Sequence, residues 1–273
     1  MKLAICNETY VDWPFERICG DVAECGYDGI EIAPSTLDPD PRNLTEAHAK
    51  AVGEMAHRAG LEVVGLHWLL KAPDGMHLTT PDNKVRKKTV AYLEHLARLC
   101  AAMGGSLLVL GSPKQRDVEK GDDPDDAFLR AAEACRQVAE TAGALGVTLA
   151  IEPLAPYLTN FLTTATAGEE FVDAVDHPSC RLHLDVFAMS SEDEPIHWII
   201  AQHGKHLAHF HANDTGMGGP GSGDVDYKPV IEALKQVHYD GYLSVEVFDF
   251  EPGGPKIARD SIEFLRGLLG FGS

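Results

Sequence analysis

The chain has 273 residues and a formal net charge of −19 at pH 7, an acidity that excludes a nucleic-acid backbone as partner, because phosphate binding requires a basic stripe. With 44% hydrophobic residues it can bury a sizeable core, and its length suits a single (β/α)8 barrel of roughly 250 residues. No apolar run approaches the about 20 residues of a membrane span, which excludes a membrane partner of that kind.

The N-terminus, MKLAICNETY, carries one lysine and a short apolar run, and reads as a first strand rather than a signal peptide. Strands are predicted at 2–6, 29–32, 62–67, 106–110, 147–152, 180–185, 206–211 and 242–247. Amphipathic helical patterns fall near 14–25, 45–59, 82–103, 124–145, 166–176, 192–203, 227–238 and 255–269. Several helices end on glycine before the next strand, as at Gly60, Gly146 and Gly241. Strict βα alternation demands a parallel sheet, and eight repeats suit closure into an α/β single-domain TIM barrel over residues 1–273. The rival, a doubly wound open sheet, usually has a glycine-rich fingerprint after its first strand, where this chain has Asn7-Glu8-Thr9-Tyr10. Six scattered cysteines (Cys6, Cys19, Cys25, Cys100, Cys135, Cys180) form no C-x-x-C pair and read as buried thiols, implying a reducing, cytoplasmic location.

Barrel active sites form at the C-terminal strand ends, which here read Glu31, His67, Gly111, Glu152, Asp185, His211 and Glu246. The last four close consecutive apolar strands and converge on one side of the mouth. Three carboxylates crowded together raise one another's pKa unless a cation joins them. With one imidazole and no thiolate, Glu152, Asp185, His211 and Glu246 describe a hard site for one divalent metal: Mn²⁺ first, with Mg²⁺, Co²⁺ or Zn²⁺ as alternatives. His183 and His209 each precede a ligand by two residues and are expected to sit behind it. His67 either meets substrate at the mouth or packs beside Trp68. Lys114 and Arg116, in SPKQR, are read as holding a phosphate or carboxylate, or else as a solvated pair. The glycine-rich loop 216–224 offers either a backbone nest for an anion or a flexible lid.

These residues together resemble the sugar phosphate isomerase/epimerase group of the xylose isomerase-like TIM barrels, which includes ketose 3-epimerases, hydroxypyruvate isomerases and inosose dehydratases. The resemblance rests on GYDGIEI (26–32), the Glu of LAIEPL, the HLD of strand six, HFHANDT (209–215), GDVDY (223–227) and YDGYLSVEVF (239–248). It implies that Glu152, Asp185, His211 and Glu246 bind the metal, and that Glu152 and Glu246 are the acid/base pair flanking the substrate carbon. The implied reaction is isomerisation or epimerisation of a keto-sugar, polyol-derived ketone or sugar acid through a metal-bound enediolate. A possible homodimer or homotetramer is a family-level expectation only. Three positions depart from the ketose 3-epimerase pattern, which carries His, Glu and Arg where this chain has Ala188, Leu158 and Met217. The same enediolate also admits a dehydratase, and a non-catalytic carbohydrate-binding barrel is the rival from another class. The histidines that endonuclease IV-type enzymes need for three zinc ions are missing at Gly111-Ser112, Ala188 and Asp224-Val225-Asp226.

Overall fold

In the computed structural model, which describes residues 1–270, eight parallel strands close into one barrel. They are β1 (Lys2–Cys6), β2 (Gly29–Ile32), β3 (Glu62–Leu66), β4 (Leu107–Leu110), β5 (Thr148–Ile151), β6 (Cys180–Asp185), β7 (Leu207–Ala212) and β8 (Tyr242–Val245). Closure is made by β8 pairing back onto β1, with Ile5 in register with Val245. Around them run α1 (Phe15–Cys25), α2 (Glu46–Arg58), α3 (Asn83–Met103), α4 (Pro124–Ala144), α5 (Ala165–Val175), α6 (Val186–Met189), α7 (Ile196–His203), α8 (Tyr227–Gln236) and α9 (Gly254–Leu269). The last three residues of the expected domain, 271–273, lie outside the described residues.

Local chemistry sets the helix ends. The Asp82 and Asp123 carboxylates accept the first free backbone N–H groups of α3 and α4, and Thr45 does the same for α2. Gly26 and Gly104 close α1 and α3 in the left-handed conformation that a side chain disfavours. The expected helix 192–203 starts only at Ile196, because Pro195 stands before it. The short α6, which no periodicity announced, is nucleated by Asp185, whose Oδ1 accepts the Ala188 N–H at 2.7 Å.

The core has two parts. A large apolar layer fills the space between strands and helices, and a smaller cluster of Ala4, Val64, Leu107, Val109 and Ala150 stands apart from it. Strand alternation assigns that smaller cluster to the barrel interior. Cys6, on the same face of β1 as Ala4, lies 3.8 Å from the Ser244 hydroxyl and in register with Glu31. The interior therefore turns polar toward its C-terminal end, where Glu31, His67, His183, His209 and His211 are all buried.

Candidate metal centre and active site

The strand ends deliver four side chains to one point. Asp185 is the last residue of β6 and stands in register with His211 of β7, while Glu152 and Glu246 immediately follow β5 and β8. One ligand atom from each of Glu152, Asp185, His211 and Glu246 lies within 4.8 Å of all the others. Glu152, Asp185 and Glu246 line a cavity of about 270 Å³, with Asn213 beside them. Other groupings of ligand atoms occur deeper in the barrel, such as His183, His209 and His211, but among the described residues only this set presents three of its members to the cavity.

The electrostatics of the set fit a cation. Burial, and then the charges of Glu246 and Asp185, push the Glu152 carboxyl well above the ordinary carboxylate range. Burial and the Glu246 charge likewise raise Asp185 to about 6. At Glu246 burial works against ionisation, but the charge of His211 and its hydrogen bond prevail and hold the carboxyl below its usual value. His211 is opposed by burial in the same way and is nevertheless raised well above an ordinary histidine by Glu246 and Glu31. Its Nδ1 donates to Glu246 Oε2 at 3.0 Å and its Nε2 to Glu31 Oε1 at 3.1 Å. Were His211 to serve as a metal ligand, the Glu31 hydrogen bond to its Nε2–H would fix the tautomer that such an imidazole needs.

Beneath this layer the register sets His183 and His209 side by side, two residues below Asp185 and His211. His209 Nε2 bonds Glu31 Oε2 at 2.8 Å, so Glu31 anchors two imidazoles at once. His183 Nε2 lies 3.7 Å from Glu152 Oε1, and neither ring nitrogen of His183 has a hydrogen-bond partner. Burial, with the His211 and His209 charges, keeps His183 neutral, its pKa well below the usual value.

Of the two alternatives for each of His67, Lys114 and Arg116, the cavity lining favours the one away from substrate: none of the three lines it among the described residues. His67 is fully buried, its Nε2 2.8 Å from Glu8 Oε1 and its Nδ1 3.6 Å from Glu31 Oε1. Lys114 is exposed outside the cavity. Arg116 is also buried, and its Nη1 donates to the Glu152 backbone carbonyl at 2.6 Å, so it fixes the main chain that carries Glu152 rather than a substrate anion. Burial lowers it to about 10, which leaves it cationic at neutral pH. The glycine-rich loop does form a cradle of N–H groups, but its occupant is the protein's own buried Asp214. Oδ1 accepts Thr215 N at 2.9 Å and Val225 N at 3.2 Å, and Oδ2 accepts Gly221 N at 3.1 Å.

Two residues of the site were not singled out from the sequence. Asn213 donates to Asp185 Oδ2 at 2.5 Å and accepts the Phe187 N–H at 2.8 Å. It lies two residues after His211, so strand alternation placed it on the same face. Glu31 was visible as a strand end, but nothing in its neighbourhood showed that two histidines from β7 would reach it.

A family model described as "Xylose isomerase-like TIM barrel" matches residues 19–268. The chain belongs to that family. A probable ketose 3-epimerase of Synechocystis sp. is 30% identical over 92% of this chain and 90% of its own length. The D-psicose 3-epimerase of Ruminiclostridium cellulolyticum is 31% identical over 83% of this chain and 76% of its own. Among solved structures, that of D-psicose 3-epimerase with D-tagatose from Clostridium cellulolyticum H10 superposes with a TM-score of 0.87 at 24% identity, covering 98% of this chain and 99% of the other, which shows the common fold. The relatives are named as sugar epimerases, and this family member is an enzyme.

Proposed function

We propose that the protein is a divalent-metal-dependent epimerase or isomerase of a keto-sugar. The observation that carries this reading is the convergence of Glu152, Asp185, His211 and Glu246 within 4.8 Å of one another, with the three carboxylates lining the cavity. The epimerase names of the relatives support it. Those four residues would hold one metal, with Mn²⁺ the best match to an oxygen-rich donor set, and Mg²⁺, Co²⁺ and Zn²⁺ as the alternatives to compare. When bound, the ion would polarise the substrate carbonyl and neutralise charge that develops on oxygen.

The protein's own residues supply the proton chemistry. One of Glu152 and Glu246 takes the proton α to the carbonyl, and the other returns a proton to the opposite face, which inverts the centre. Return to the neighbouring carbon gives aldose–ketose isomerisation instead. Asp185 is fixed by Asn213 and the Ala188 N–H, and so orients rather than transfers. No cationic side chain lines the cavity among the described residues, which favours a neutral substrate over a phosphorylated one.

The test is solvent exchange. Metal-loaded protein should incorporate deuterium from D₂O at the carbon α to the carbonyl of a keto-sugar, with product of unchanged mass apart from the label. Glu152→Gln and Glu246→Gln should each abolish it while ligand still binds. Absence of exchange on every ketone offered, or absence of stoichiometric metal uptake by the chelator-stripped chain, overturns the reading.

A further inference from the structure

Polar groups are confined to the floor of the cavity. Above Glu152, Asp185, Asn213 and Glu246 the walls are Leu154, Leu158, Phe187, Ala188, Met217 and Phe248, with Trp68 and Pro113 completing the ring. Among the described residues, those walls offer no side-chain donor or acceptor beyond the Trp68 indole. The apolar surface continues to the rim, where Tyr157 is 63% exposed and meets the Phe187 ring edge-on at 6.1 Å, and Phe248 is 39% exposed.

The wall is held in place by unusual backbone. Trp68 and Met217 both have left-handed φ, at 51° and 61°, a conformation uncommon for residues with side chains. Met217 is locked there because its carbonyl accepts the Phe248 and Asp249 N–H groups at 2.9 and 3.0 Å. Trp68 is fixed against the Phe248 ring edge at 5.5 Å, with the Lys71 ammonium 4.2 Å from its ring centre. The chain thus accepts backbone strain at two separate loops to set apolar side chains around the carboxylates.

We propose that the substrate is a keto-sugar carrying an apolar aglycone, an alkyl or aryl glycoside of a ring ketone, rather than a free polyhydroxylated ketose. This rests on the epimerase reading of the same site. The floor engages the carbonyl and the neighbouring hydroxyl, and the walls take the aglycone. A free ketose brings further hydroxyls to the same walls, and each one that sheds water without finding a partner costs on the order of tenfold in affinity. A phenyl group seated there gains about 10- to 100-fold instead.

The experiment uses the Mn²⁺-loaded wild-type chain and follows deuterium exchange α to the carbonyl by NMR. Phenyl and methyl 3-keto-β-D-glucosides, which carry the same hydroxyls, are compared with D-fructose and D-tagatose. The expected kcat/KM is at least about 10-fold higher for the phenyl than for the methyl glycoside, and higher for both than for the free ketoses. Leu158→Gln and Met217→Gln should narrow the phenyl-to-methyl ratio. Equal or lower kcat/KM for the phenyl glycoside, or faster exchange on a free ketose, overturns the proposal and leaves the epimerase reading intact. No exchange on any of the four ketones overturns both.

Discussion

A Cβ on Gly111 would lie 1.5 Å from Oε2 of Glu152 and 2.6 Å from its Cδ. The glycine after β4 is therefore the space in which the Glu152 carboxylate stands. Gly111→Ala should swing Glu152 into the neighbouring cavity, where there is room, so the fold survives and the site does not. A displacement of about an ångström can cost on the order of 100-fold in rate. The expected result is that loss in deuterium exchange, with weaker Mn²⁺ binding by calorimetry and a thermal midpoint close to wild type.

Glu31 binds His209 and His211 through its two oxygens, and the charges of those rings, with the hydrogen bonds, outweigh burial to hold its carboxyl well below the usual range. Glu31→Gln keeps the shape but removes the charge that orients both rings. Loss of such a partner behind a metal-ligating histidine typically costs 10- to 100-fold in metal affinity. Mn²⁺ titration of the stripped variant should show a drop of that size. Unchanged affinity would mean that His211 is positioned by something else.

Proton competition gives a signed pH dependence. In the metal-free protein the Asp185 carboxyl stands at about 6, against an ordinary value of 3.8. Between those values the folded protein binds more protons than the unfolded chain, so stability of the metal-free form should fall as pH rises from about 4 to about 6. Mn²⁺ competes with the same protons, so its apparent affinity should rise over that window and binding should release protons. Thermal melts with and without EDTA across the range, and calorimetry in buffers of different ionisation enthalpy, measure the two effects.

Asp214 is fully buried and satisfies three backbone N–H groups of the loop that carries Met217. Asp214→Ala leaves those donors without their acceptor and should destabilise the fold by about 2–4 kcal/mol. Asp214→Asn retains one acceptor oxygen and should cost less. Urea unfolding of the two variants checks the order. Equal losses would show that shape rather than hydrogen bonding holds the loop.

What the sequence determined by itself is whatever depends on local period and on strand ends. β1, β2 and β6 span the residues that alternation and flanking glycines assign, because a buried parallel strand advertises itself by a short apolar run. Closing β5 to β8 with Glu152, Asp185, His211 and Glu246 made their meeting predictable, since a barrel brings the C-terminal ends of neighbouring strands to one face. The tertiary structure decided what lies across the barrel. Glu31 meets His211 across 180 positions of sequence, a contact that no local pattern encodes. Arg116 read as an anion-holding or solvated cation, yet closure buries it behind Glu152, where its guanidinium donates a hydrogen bond to a main-chain carbonyl. The loop glycines read as an anion nest or a flexible lid, and the carboxylate of Asp214 fills the cradle they form. Leu158, Ala188 and Met217 were known only as missing polar groups. Packing of loops from different strands turned them into a continuous apolar wall, because a cavity's chemistry is set by which side chains face one another and not by which follow one another in the chain.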